Sequence, residues 1–428
     1  MTLDRPAKVE PTQSPTEITV QPPMLTNQQL VAAMSHPTRA HAVTVLNERV
    51  ACAAEIGREL KKTARHVSYH LKVLERLGVV ELVKEEQVAG GRTSAKFYRA
   101  LVRSWYDPES WKQIESKHQQ GITADILSAC NSDLTEAVKS GTIHHPDNHI
   151  SRTPLLLDGS GYRELVDLLD GFLPRIIEMQ QDAAGRISRD QEAVLAKVHV
   201  IQFPSPDPGT WATAPIVANV ASPFQSTPPD LYEEEILSAL EHPTRVHALM
   251  VLNERAASAA EIGREIGRSS DHVAYHLKRL RKLGLIELVE VAETPGGRTT
   301  GKFYRALIRP WFDHESWGMV DRRRQAIITA TMLGLCNTDI AEAVRAGTID
   351  DPDSHISRTP VIVDRNTYDG LVRLMDQAIS DMLGIQRRAA DRLLQGADRV
   401  LTKVHLFSFE SPDPTVSERA RTSSPPDR

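Results

Sequence analysis

The stretch HVSYHLKVLERLG, from His66 to Gly78, returns 206 positions later as HVAYHLKRLRKLG, from His272 to Gly284. Shifting the chain by that interval aligns residues 27–208 on 233–414 without a gap. Between 33–111 and 239–317 roughly three residues in five are identical. Beyond that stretch CNSDL (130–134) falls on CNTDI (336–340), HISRTP (149–154) on HISRTP (355–360), and SPDP (205–208) on SPDP (411–414). A match this long constrains the fold more than composition does. It demands two copies of one folding unit, not one domain with a repeat inside it.

Between the copies, residues 209–232 are rich in Pro, Ala, Ser and Thr and read as a linker. Fully extended, such a segment spans about 80 Å, so it scarcely restrains how the copies dock. Residues 1–26 and 415–428 are Pro-rich and polar and read as disordered tails. Each copy divides again. The first parts, 27–105 and 233–311, carry short helical patterns followed by strand, turn and strand. The second parts, 106–208 and 312–414, begin with a long helix. In the first copy an apolar strand (153–158), a further long helix (161–187) and a final strand (196–203) follow. The expected class is α+β, mainly α: two tandem domains of short helices and a hairpin, which the residues below read as winged helix-turn-helix, each followed by a helix-rich α+β unit.

Other classes are disfavoured. No apolar run approaches the 18 residues a membrane span needs. The opening MTLDRPAKVEPTQ does not read as a secretory signal. Three cysteines among 428 residues make no disulfide framework. A cytoplasmic protein is expected.

Wound at 100° per residue, the quoted stretch puts Val67, Leu71, Leu74 and Leu77 on one face. Arg65, Tyr69, Lys72 and Arg76 share the opposite one. One side is built for burial, and the other is a basic stripe with an aromatic in it. Thr63 and Ser269 stand where N-caps belong, and Gly78 stands where a C′ glycine belongs. A shorter helix, AAEIGREL (53–60), precedes it, and the equivalent Ser258–Glu261 reads as a capping box. Two short helices with a tight turn between them, the second basic outside, form a helix-turn-helix pattern. VVELVKEE (79–86), a turn at Gly90-Gly91-Arg92 and AKFYRAL (95–101) then predict a hairpin with an arginine at its tip. Arg298 takes that place in the second copy. Such a wing reaches phosphate or the minor groove while the recognition helix occupies the major groove.

Charge follows the same division. The whole chain carries −5, yet Glu55–Trp105 holds 11 Lys/Arg against 6 Asp/Glu, and Glu261–Trp311 holds 10 against 6. Two basic modules inside an acidic chain fit selective double-stranded DNA binding better than a nonspecific coat.

HPTRAHAVTVLNER (36–49), AAEIGREL (53–60) and HVSYHLKVLERLGVVELVKE (66–85) resemble the arsenic-repressor-like (ArsR) winged-helix transcription regulators over roughly 80 residues per copy. The resemblance implies that the first half of the recognition helix contacts bases. In the first copy this points to Thr63, Arg65, His66, Ser68, Tyr69 and His70, and in the second to Ser269, Asp271, His272, Tyr275 and His276. Ala274 departs from the family's usual serine and puts one contact in doubt. Lys72, Arg76, Lys278 and Lys282 on the helices, with Arg92, Lys96, Arg298 and Lys302 on the hairpins, complete the expected surface. His70 and His276 lie angularly between Leu74 and Leu77, which fits a core histidine and a base contact alike. His66 and His272 are the more exposed pair.

Other constellations dissolve on inspection. Cys52 has no cysteine neighbour and becomes Ser258 in the second copy, so a cap explains both and no metal is expected. Cys130 and Cys336 read as small buried residues within a helix. HHPDNH (144–149) against DDPDSH (350–355) matches no zinc spacing and reads as a polar turn. Trp105, Trp111, Trp311 and Trp317 read as packing residues that join each first part to its second, with Asp107 and Pro108 starting the long helix. No phosphate loop, nucleophile elbow or zinc-protease motif is present in the sequence. Neither an enzyme nor a cofactor is expected.

Writing the reader twice gives one chain both halves of a two-fold DNA site. The expectation is a single-chain pseudo-dimer with recognition helices 64–77 and 270–283 in successive major grooves. The second parts are expected to pair internally and hold the readers together. They leave room for a small-molecule effector, though no residue set nominates one. The competing reading is a protein-interaction scaffold whose winged helices no longer bind DNA.

Overall fold

The computed structural model describes residues 33, 36–87, 94–101, 111, 114–145, 147–187, 193–206, 239–293, 300–307 and 314–411. The tails, the linker, Trp105, Asp107, Pro108, Trp311 and the hairpin tips with Arg92 and Arg298 lie outside them. The chain divides into two compact units, Met1–Trp105 and Tyr106–Arg428.

The first unit opens with α1 (Pro37–Glu48). Pro37 occupies the first turn, where its missing N–H is no loss, and the His36 ring accepts from the Thr38 amide at 3.2 Å. Next come β1 (Ala51–Cys52), α2 (Ala53–Glu59) and α3 (Ala64–Arg76), then β2 (Val80–Gln87) and β3 (Ser94–Ala100). β3 is central, between β1 and β2, and β2 bulges between Leu82 and Lys84. Val43, Leu46, Ile56, Val67, Leu71 and Leu74 are buried in this unit.

The second unit contains the second copy of that arrangement: α7 (Pro243–Glu254), β6 (Ala257–Ser258), α8 (Ala259–Ile266), α9 (Ser270–Lys282), β7 (Ile286–Glu293) and β8 (Thr300–Ala306). It also contains both second parts. The first copy supplies α4 (Ser116–Ser140), β4 (His149–Leu157), α5 (Gly159–Asp170), α6 (Phe172–Ile187) and β5 (Ala193–Pro204). The second supplies α10 (His314–Met319), α11 (Arg322–Ala346), β9 (His355–Asp364), α12 (Arg365–Leu394) and β10 (Val400–Glu410).

The expected single helix over 161–187 is broken at Gly171, whereas its counterpart α12 runs unbroken. Pro174 explains the difference: it lacks an N–H and its ring crowds the carbonyl one turn back. The second copy has Ser380 there.

The two second parts form one sheet, in the order β4-β10-β5-β9. At its centre β5 and β10 run antiparallel with Val200 opposite Leu406. Those residues are 206 apart, so each strand meets its own equivalent, and a local two-fold passes between them. On either side the strands are exchanged. β4 of the first copy pairs with β10 of the second, and β9 of the second with β5 of the first. Antiparallel pairing lets identical strands satisfy each other's backbone groups this way.

Both faces of the sheet are covered. On one, Leu155, Val198, Val200, Val404 and Leu406 pack under α5, α6 and α12. On the other, Ile201, Phe203, Phe407 and Phe409 pack against Cys130 and Ala137 of α4 and Cys336 and Ala343 of α11. Burial pushes both cysteine thiols up, which suits a packing role and not a reactive one. α11 is long and apolar enough, by length and composition alone, to cross a membrane. Here it buries one face on the sheet and directs Asp339 into an ion cluster.

Those clusters are symmetric. Asp133 receives Arg358 at 2.7 Å and His199 at 3.0 Å, with Lys197 at 3.6 Å. Asp339 receives Arg152 at 2.9 Å and His405 at 3.2 Å, and Lys403 also binds it. Burial works against both carboxylates, but these partners hold each well below the usual range. Burial also lowers His199 and His405, so each donates from a neutral ring. Each arginine comes from one copy and each aspartate from the other. The pairs Arg186–Asp364 and Arg392–Asp158, both at 2.7 Å, repeat the exchange.

Candidate nucleic-acid interface

In both readers the second helix of the helix-turn-helix is set by its ends. Thr63 Oγ1 accepts from the His66 amide at 3.3 Å, and Ser269 Oγ from the His272 amide at 3.3 Å. At the other end Gly78, with φ of 74°, directs the Val79 amide to the Leu74 carbonyl at 3.0 Å. Gly284 repeats this with Leu285 and Leu280 at 3.1 Å. Val67, Leu71 and Leu74 are buried, as are Val273, Leu277 and Leu280. The opposite face is open: Thr63, Arg65, His66, Tyr69, Lys72 and Arg76 are exposed in α3, and Ser269, Asp271, Tyr275, Lys278 and Lys282 in α9. Ser68 and His272 are half-buried. Tyr69 and Tyr275 are 62% and 69% exposed, and each meets the ring of the neighbouring buried histidine, His70 or His276, edge-on at 5.2 Å.

The turn before the helix is tight. A Cβ on Gly57 would stand 2.8 Å from the Lys62 carbonyl oxygen, and one on Gly263 would stand 2.7 Å from that of Arg268. Only glycine lets the two helices approach so closely. The turn also needs a left-handed residue. The second reader uses Gly267, with φ of 63°, and the first uses Lys61, with φ of 53°.

Two expected contacts are corrected. His70 and His276 are 5% and 4% exposed and face inward. Each stacks on the histidine that caps the first helix, His36 or His242, with ring centroids 4.1 Å apart. Burial, then repulsion by the neighbouring histidines, lowers both to about 4. At neutral pH they are uncharged packing residues. Their true effect is on His66 and His272, whose rings lie 4.7 Å away. Thr38 Oγ1 and Thr244 Oγ1 meet the Nε2 of His66 and His272 at 3.0 and 3.1 Å. His66 and the half-buried His272 are thereby oriented from below. Sequence reasoning passed over this anchor, although HPTR stands unchanged at 36–39 and 242–245.

It also passed over Arg279 and Arg281, both exposed on α9. Arg279 lies one turn beyond Tyr275, where the first reader has Val73, so the second recognition helix is the more basic. On the hairpins Lys96 and Lys302 are exposed. Arg99–Glu81 and Arg305–Glu287 pairs cross each hairpin. Cys52 is buried as the N-cap of α2, and Glu55 accepts its amide at 3.0 Å.

Residues 36–81 and 242–287 each match the family described as bacterial regulatory protein, arsR family. Both matches run from the capping histidine into the first hairpin strand. The chain thus carries two ArsR-type helix-turn-helix segments in tandem. No curated protein matches the chain.

Proposed function

From two ArsR-type segments in one chain, we propose a sequence-specific, non-enzymatic transcription regulator that binds double-stranded DNA as a single-chain pseudo-dimer. The observation that carries this reading is the doubled exposed face: a tyrosine flanked by basic residues on a helix fixed at both ends. Recognition helices 64–77 and 270–283 enter successive major grooves, one per half-site. Arg65, His66, Ser68 and Tyr69 read bases in one half, and Asp271, His272 and Tyr275 in the other. Thr63 and Ser269 stand with the base-reading residues, Lys72, Arg76, Lys278, Lys282, Lys96 and Lys302 hold phosphates, and each hairpin acts as a wing with Arg92 or Arg298 at its tip. Internal pairing through the exchanged sheet supplies the two-fold frame.

The half-sites differ where Arg65 faces Asp271 by position. A guanidinium favours guanine, whereas a carboxylate accepts from cytosine and repels phosphate. Selection from random duplexes is therefore expected to return an imperfect palindrome. Arg65→Asp should shift the preference of one half only. A perfect palindrome indifferent to that change would overturn the assignment. If charge reversal at Arg92 and Arg298 left affinity and salt slope untouched, the interaction-scaffold reading would replace this one.

A further inference from the structure

Within the second unit, a cavity of about 130 Å³ lies where the second reader meets the exchanged sheet. One wall is the reader's own helix α7, through Leu249 and Met250, and the others come from α11, α12 and strand β4. Trp317, Met332 and Leu383 extend the apolar lining. At one edge the surface turns polar. Asp376 Oδ1 meets His149 Nδ1 at 3.0 Å, and the far ring nitrogen meets Ser151 Oγ at 3.0 Å. Among the described residues, Asp376 Oδ2 has no hydrogen-bond partner. A mostly apolar chamber with a carboxylate fixed by a histidine at its polar edge is suited to a flat apolar guest that carries a donor.

We infer that this cavity is a ligand site for a small aromatic molecule of one or two rings carrying one N–H or O–H group. The rings fill the apolar lining, and the donor meets Asp376 Oδ2. A cavity of this size has room for a benzene-sized guest. A site here is also placed to regulate. The C-terminal half of α7 lines it, while the N-terminal end of α7 carries His242 and Thr244, which hold His272 of the recognition helix. Glu254, at the last turn of α7, is bound by Arg152 of β4, beside the same cavity. A guest that shifts α7 therefore acts on the recognition helix through one rigid element. This regulatory consequence rests on the DNA-binding reading; the binding site does not.

Indole is the probe, with benzene as the control that has no donor. In the full chain with ¹³C-methyl-labelled methionine, indole is expected to move the Met250 and Met332 methyl resonances saturably. Benzene should act at the same methyls about tenfold more weakly, the value of one hydrogen bond to a charged acceptor. Met332→Trp, which fills the cavity, should abolish the response of Met250. Asp376→Asn should bring indole and benzene together. Unmoved Met250 and Met332 at millimolar indole would overturn the site. Equal affinities for indole and benzene in the unaltered protein would overturn the role of Asp376. Indole should also change the affinity for a selected duplex severalfold. Binding without that change would overturn the coupling alone, and absence of any DNA binding would count against the proposed function while leaving the cavity result intact.

Discussion

Single residues decide whether each reader can present its surface. Gly57 has no room for a side chain, so Gly57→Ala should destabilise the first reader by about 1–3 kcal/mol, measurable by denaturant unfolding. Lys61 pays a left-handed penalty that Gly267 avoids; Lys61→Gly should stabilise by up to about 1 kcal/mol after the extra chain entropy of glycine is subtracted. His70 and His276 make stability depend on pH. Their folded values, about 4, lie below the ordinary histidine value near 6.5. The unfolded chain therefore binds protons first as pH falls. Stability is full above roughly pH 6.5 and declines toward pH 4. Replacing both with Phe should shrink the loss of melting temperature between pH 7.5 and 5; an unchanged loss would show that their burial does not matter. At this scale the caps and the exposed stripe were legible, because they follow from local spacing. The inward turn of His70 was not, because angle alone left it at the boundary and only the stack with His36, 34 positions earlier, settles it.

Elements show where local rules end. The recognition helices, the hairpins and the strands of the second parts stand where periodicity put them. The helix over 161–187 does not, since Pro174 interrupts it within a pattern that its counterpart continues. The helices over the sheet held a further surprise. Asp133 and Asp339 sit in polar runs that look solvent-facing, yet both are buried as the hubs of ion clusters. No sequence pattern marks this, because the arginine of each cluster arrives from a strand of the other copy. Asp339→Asn leaves Arg152 and Lys403 short of an anion in the interior and should destabilise the second unit by about 3–5 kcal/mol. The depressed carboxyls also set an acid limit. Their contribution is complete above the unfolded value near pH 4 and is lost as pH falls through the lower folded value. A chain whose stability did not respond to Asp339→Asn would contradict the cluster's role.

At the scale of the whole molecule the repeat announced two copies but not how they join. Exchange of β4 and β9 is invisible in sequence, since equivalent strands offer the same edges to a partner in either copy. The structure resolves this through the register of Val200 opposite Leu406. Because four strands and the five helices packed on them interlock, the sheet and not the linker should hold the halves together. Proteolysis confined to 209–232 is expected to leave both fragments comigrating and DNA binding intact. The most direct test of the account is the stoichiometry and salt dependence of the complex with a duplex carrying both selected half-sites, measured by sedimentation. The account predicts one chain per duplex, affinity that falls steeply with salt, and a loss in affinity when either Tyr69 or Tyr275 is changed to Ala. Two chains on one duplex, or attachment indifferent to salt and to both tyrosines, would contradict it.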